Sequence, residues 1–242
     1  MQKVKDRLFT ISDIHVPYHN KAATKVALEY IKHERPQVVN INGDAIDFYA
    51  ISRYSRDPKR RQGIDEELDG FAEFLSEVRD AAPKARIMFV LGNHEIRWNK
   101  YLRDHAPELD GSKRFSLGEA LQLEKFKITL APSGFIFGNC YLVHGDGLMG
   151  SKAGTTVTKW MDRYMASCVV GHIHRLAIVH RRTAANERLF GVETGTLSLL
   201  DPGYEMTSYA DWQVGFSSLT RYTNGIIVPS LYEIMGNDVY KT

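Results

Sequence analysis

The chain has 242 residues, with 31 Lys and Arg against 29 Asp and Glu; a net charge of +2 gives no bulk field for polyanions, so any nucleic-acid contact must come from a local patch. Hydrophobic residues at 43% and charged residues at 25% exclude disordered, collagenous and coiled-coil chains, and a single α/β domain over residues 1–242 is expected. Cys140 and Cys168 lie in apolar runs, a pattern of buried thiols in a reducing compartment; with no leader-like run at 1–7 and no apolar stretch near the roughly 20 residues of a membrane span, a cytoplasmic protein without a membrane partner is expected.

In chain order, residues 8–12 read as a buried strand that delivers Asp13 and His15 to its tip. Asn20 is a plausible helix cap, and Ala23, Val26, Ala27, Tyr30 and Ile31 follow at helical spacing until Pro36 breaks the run. Residues 38–42 form a second strand ending at Gly43-Asp44. A long amphipathic helix from Ile64 turns Leu68, Phe71, Ala72, Leu75 and Val78 inward, and a third strand over 87–91 ends at Gly92-Asn93-His94-Glu95.

The second half is richer in short strands, at 135–137, 141–143 and 168–170, with one helix through Val157, Trp160, Met161 and Tyr164. Further strand-like runs lie near 177–179, 189–192, 214–219 and 226–231. Two mixed sheets packed face to face with helices outside would bury them all. The expected fold is therefore an α/β four-layer α-β-β-α sandwich with no linker between its halves.

Three early strands end in carboxylate, imidazole or amide clusters, and two later ones end at His144-Gly145-Asp146 and Gly171-His172-Ile173-His174. Five of the nine histidines fall in these clusters. Any one of them is more often a structural histidine, but the set is hard to explain that way. Ligands gather beyond the carboxyl ends of parallel strands, so these segments can meet at one rim. Asp, Asn and His without Cys suit Mn, Fe, Zn, Co or Ni, and a shared carboxylate such as Asp44 can bridge two cations roughly 3.5 to 4 Å apart.

The ordered blocks Asp13-Ile14-His15, Gly43-Asp44-Ala45-Ile46-Asp47, Gly92-Asn93-His94-Glu95, His144 and Gly171-His172-Ile173-His174 resemble the calcineurin-like metallophosphoesterase family. That resemblance implies two divalent transition-metal ions, Mn foremost. One ion falls to Asp13, His15, Asp44 and His174; the other falls to Asp44, Asn93, His144 and His172. It further implies phosphoester hydrolysis by a metal-bridging hydroxide, with His94 aiding the leaving oxygen and Asp47 orienting the His94 ring. Asp47 reads equally well as a helix cap, and Asp146 reads better as a turn carboxylate.

Departures from relatives narrow the substrate. Glu95 resembles the serine/threonine protein phosphatases, yet Phe48-Tyr49 stand where those enzymes carry Arg-Gly. The phosphate-gripping arginine and the partner of Glu95 are therefore expected to be missing, and the Gly-His-x-His ending also argues against that class. Arg97 could replace the arginine, although an exposed helical residue is the plainer reading. Arg53, Arg56, Lys59, Arg60 and Arg61, interleaved with Tyr49 and Tyr54, could bind a nucleic-acid backbone or form a solvated loop.

Tyr204, Tyr209 and Trp212 could cap the site or pack on a sheet edge, and the run 212–216 resembles the tails of bacteriophage phosphoesterases. The leading expectation is a phosphodiesterase or phosphatase acting on nucleotide-type or small phosphoesters. A metal-dependent DNA or RNA nuclease is the alternative. A non-catalytic scaffold is disfavoured by retention of His94 with every metal residue.

Overall fold

In the computed structural model, which describes residues 2–53, 62–200 and 211–242, the first strand β1 runs Val4–Ile11. It begins earlier than its apolar run because pairing, rather than burial, orders its exposed start: Val4 to Thr10 lie antiparallel to β10 (Gly215–Tyr222). On its other side Leu8 to Ile11 pair in parallel with β2 (Val38–Asn42), all five residues of which are buried. β3 (Arg86–Val90) and β4 (Ile128–Ala131) extend this parallel run, while β11 (Ile227–Met235) and β12 (Asp238–Lys241) continue beyond β10.

The connections explain the parallel order. Helix α1 (Lys21–Glu34) starts where the Asn20 side chain accepts from the amide of Ala23 at 3.1 Å, and it stops at Arg35 in left-handed backbone ahead of Pro36. α2 (Ile64–Ala81) buries Phe71, Phe74, Leu75 and Val78. α3 (Ile96–His105) and the short α4 (Leu117–Ala120) lie between β3 and β4. A second sheet holds β5 (Phe135–Phe137), β6 (Cys140–Leu142), β7 (Ser167–Val170), β9 (Arg188–Thr194) and β8 (Leu176–Arg182) in that spatial order, with α5 (Thr155–Tyr164) joining β6 to β7. Both sheets are mixed, since β6, β7 and β9 run parallel while β5 and β8 run antiparallel to their neighbours.

Leu8, Val38, Met88, Leu142, Val169, Val192 and Leu219 fill the space between the sheets. Full burial of such side chains contributes about 1.5–3 kcal/mol each, which holds the two layers face to face. α1 and α2 cover the outer face of the first sheet through Ala27, Ile31, Phe71 and Phe74; α5 covers the second through Val157 and Met161. The four-layer α-β-β-α sandwich is therefore the observed architecture. Cys140 and Cys168 are buried and free, and burial pushes both thiols up, away from reactive thiolate. Among the described residues no helix is long and apolar enough to cross a membrane.

Candidate metal centre

The carboxyl ends of β1, β2 and β3 and the loops leaving β6 and β7 open onto one rim. His15 Nε2 lies 3.3 Å from His174 Nε2, and the same His174 nitrogen lies 3.3 Å from Asp13 Oδ1. Beside them His144 Nε2 sits 3.1 Å from Asp44 Oδ2 and 3.3 Å from Asn93 Oδ1, with His172 Nδ1 at 3.9 Å from Asp44 Oδ2. Donor atoms of Asp13, His15 and His174, of His15, Asp44 and His94, and of Asp44, His144 and His172 each fall within 4.8 Å of one another. The groups overlap at His15 and Asp44, so the array is continuous. All seven residues singled out as metal ligands meet here.

The backbone is bent to present them. Asp13, His15, Asp44, His172 and His174 all have positive φ, between 48° and 68°, a region that disfavours L side chains. Close approach at the rim is made possible by glycine: a Cβ on Gly92 would stand 2.2 Å from Asp44 Oδ1, and one on Gly43 would stand 2.5 Å from His144 Nδ1. Across the sheets, His144 Nδ1 donates to the Asn42 carbonyl at 2.8 Å, leaving Nε2 as the ligand nitrogen, and the amide of His172 donates to Asp13 Oδ2 at 2.9 Å.

Glu95 was expected to lack a partner. It is instead wholly buried and accepts the main-chain amides of Gly92, Asp44, Ala45 and Ile46 at 2.7, 2.9, 2.8 and 3.2 Å. Its carboxylate thus ties the β2 tip to the β3 tip. Two further buried glutamates act alike: Glu67 takes the amides of Tyr49 and Ala50, and Glu193 takes those of Gly154 and Val157 at the start of α5.

The His94 Nδ1 donates to the main-chain carbonyl of Asp47 at 2.9 Å, which leaves Nε2 facing the site, 3.9 Å from Asp44 Oδ2. The Asp47 carboxylate does not cap the turn that follows it; Phe48 holds that position, and the carboxylate turns to His15 Nδ1 at 3.5 Å and His94 Nδ1 at 3.6 Å. Arg97 is not an exposed helical arginine. Its guanidinium donates to the Asp47 carbonyl at 2.8 Å and approaches His94 Nε2 at 3.0 Å.

The donor set fits cations on its own evidence. His15, His172 and His174 each keep a buried Nδ1 without a hydrogen-bond partner, and at His172 this is the atom facing Asp44. Burial would lower the basicity of His144, but Asp44 and Asp13 outweigh it and hold the imidazole up to about 10, whereas burial and the neighbouring His94 push His15 down. The cavity above them is about 210 Å³ and is also lined by Ser198, Leu199 and Trp212, the last with its ring 4.4 Å from that of His174. A larger groove of about 520 Å³ between α1 and α2 sets Lys21, Lys25 and Lys32 against Glu73, Glu77 and Asp80 and contains none of these donors.

Asp146 is exposed in a turn and belongs to none of the donor groups. Of the basic cluster only Arg53 is described; Tyr54, Arg56, Lys59, Arg60 and Arg61, like Tyr204 and Tyr209, lie outside the described residues.

A model of the calcineurin-like phosphoesterase family matches residues 7–176, which contain every block of this rim. The Gene 54 protein of Mycobacterium phage D29 is 25% identical across 95% of this chain and 94% of its own length, and that of Mycobacterium phage L5 is 26% identical over the same shares. The likeness to phage proteins therefore runs far beyond the tail run at 212–216. Among solved structures, vacuolar protein sorting 29 from Cryptosporidium parvum superposes with a TM-score of 0.55 at 16% identity, covering 99% of this chain and 97% of that one, a likeness of fold alone.

Proposed function

As the chain belongs to the calcineurin-like phosphoesterase family, we propose that it is a dinuclear-metal phosphohydrolase acting on nucleotide-type or other small phosphoesters, as a phosphodiesterase or phosphatase. The observation that carries this reading is the convergence of oxygen and imidazole donors from five strand ends on one rim. Asp13, His15 and His174 would hold one divalent ion, Asn93, His144 and His172 the other, and Asp44 both. Bound there, the ions would neutralise the phosphoryl oxygens and bring a water to a pKa at which it attacks near neutral pH.

The rest falls to the chain's own residues. His94, with Nδ1 fixed by the Asp47 carbonyl, keeps Nε2 toward Asp44, where it can hand a proton to the departing oxygen. Arg97 pairs with that nitrogen only while the ring is neutral. A phosphate that draws the guanidinium away would free Nε2 for protonation. Phe48, fully buried and packed on Trp98 with ring centroids 5.6 Å apart, supports ranking a protein phosphatase behind these readings, because the position where those enzymes carry arginine faces the core here.

The test is reconstitution of stripped protein with Mn, Fe, Zn, Ni or Co, followed by turnover of mono- and diester substrates alongside metal analysis. Stripped protein should be inactive and Mn should restore it. His94→Ala should keep both ions while turnover falls roughly 100- to 10,000-fold. Full turnover by that variant, with its metals intact, would remove His94 from the mechanism.

A further inference from the structure

Beside the cavity over the metal donors lies a second pocket of about 190 Å³, and Asn93 lines both. The second pocket is walled by Arg53, Arg97 and Lys100 against a single carboxylate, Asp104. Lys100 is exposed and makes no salt bridge among the described residues. Ile96 and Tyr101 complete the wall and stay 46% and 41% exposed, although both are large and apolar. Packing does not account for this face, since Leu102 is the one buried residue of α3. Tyr101 also stands beside His105, ring centroids 4.7 Å apart, which extends the aromatic surface.

Cations alone would suit any phosphorylated molecule. Cations interleaved with exposed rings are what a single strand needs, because its backbone seeks positive charge and its unpaired bases offer π-faces for stacking. A duplex hides those faces, and a phosphorylated peptide would leave Tyr101 and Ile96 without use. Arg97 stands at the junction, touching His94 on the metal side and lining the pocket on the other.

We propose that this pocket receives the nucleotide adjoining the scissile bond of a single-stranded nucleic acid, with Lys100 and Arg97 toward its phosphate and Tyr101 toward its base. The inference rests on the hydrolase reading and narrows its substrate to oligonucleotides.

The experiment compares kcat/KM on a single-stranded hexadeoxynucleotide with that on bis(p-nitrophenyl) phosphate, which has no neighbouring nucleotide, using the full chain loaded with Mn. Variants are Lys100→Glu, Tyr101→Ala and, as control, Lys84→Glu, an exposed position before β3 at the end of the sheet away from the rim. Lys100→Glu and Tyr101→Ala should each lower the oligonucleotide-to-diester ratio about tenfold through KM, with a shallower salt dependence for Lys100→Glu. Lys84→Glu should leave the ratio alone.

An unchanged ratio in both pocket variants overturns the proposal. So does a wild-type protein that cleaves the small diester but not the oligonucleotide, or one that prefers a phosphoserine peptide in a Lys100-dependent way. Absence of turnover on every substrate by metal-loaded protein would instead sink the hydrolase reading. Anisotropy of a labelled hexamer then decides the pocket separately: binding weakened about tenfold by Lys100→Glu upholds the nucleic-acid assignment, and unchanged binding overturns it.

Discussion

The two sheets bring different chemistry to their common rim. The sheet containing β1, β2 and β3 supplies the oxygen donors Asp13, Asp44 and Asn93 with one ligand imidazole, His15; the sheet containing β6 and β7 supplies three imidazoles, His144, His172 and His174, and no carboxylate. Carboxylate oxygens therefore sit on one layer and most of the imidazole nitrogens on the other. Neither layer alone assembles either proposed ligand set. Packing of the inter-sheet core is what completes the site, so cation binding should clamp the layers together.

The largest break in this arrangement should come from the shared carboxylate. Asp44→Asn keeps the shape but removes the charge on which both proposed ligand sets depend, and turnover should fall at least roughly a thousandfold, about 4 kcal/mol of barrier. His172→Ala touches one set only. Elemental analysis should find both ions depleted in the first variant and one retained in the second, whereas a full complement in Asp44→Asn would end the case for sharing.

A smaller effect, about 3 kcal/mol, is expected in stability for Glu95→Gln, because the new amide would set N–H donors against the main-chain amides that Glu95 now accepts. Denaturant unfolding of the metal-free protein would measure it. A loss under about 0.5 kcal/mol, the range of ordinary surface changes, would mean that the β2 and β3 tips hold each other without Glu95.

The smallest change concerns Glu67, which burial, aided by the charge of Asp47, pushes up to about 7 from an ordinary 4.5. The folded state then binds the proton more tightly than the unfolded one, so the contribution of Glu67 is most favourable below pH 4.5, declines up to about 7 and is level above. Between pH 5 and 8 the unfolding free energy of wild type relative to Glu67→Gln should fall by about 2–3 kcal/mol. A flat difference would show that the amide donors keep Glu67 ionised throughout.

The rim was readable in the sequence because metal donors must be particular side chains in short, ordered blocks. Its supports were not. The partners of Glu95 are main-chain amides, which every residue carries, so no side-chain pattern announces them. Arg97 read as exposed because the carbonyl it meets, that of Asp47, is likewise invisible in a string of letters.

The missed elements follow the same physics. α3 buries only Leu102 fully, with Trp98 half-buried beside it and Ile96 and Tyr101 exposed, so its apolar residues do not mark one buried face; β12 is a mostly exposed edge strand ordered by pairing with β11. More deeply buried elements such as α1, α2 and β2 were legible because burial shaped their spacing directly.

The left-handed backbone at Asp13, His15, Asp44, His172 and His174 sets the site against the thermal robustness of its own fold. Each such residue costs about 1 kcal/mol that glycine would largely recover. Glycine at these five positions would relieve that strain but would strip out the donors and orphan buried amides such as that of His172, which now donates to Asp13. Thermostable variants should consequently be selected under metal-loaded conditions, where bound cations reward the strained conformations that the empty fold disfavours.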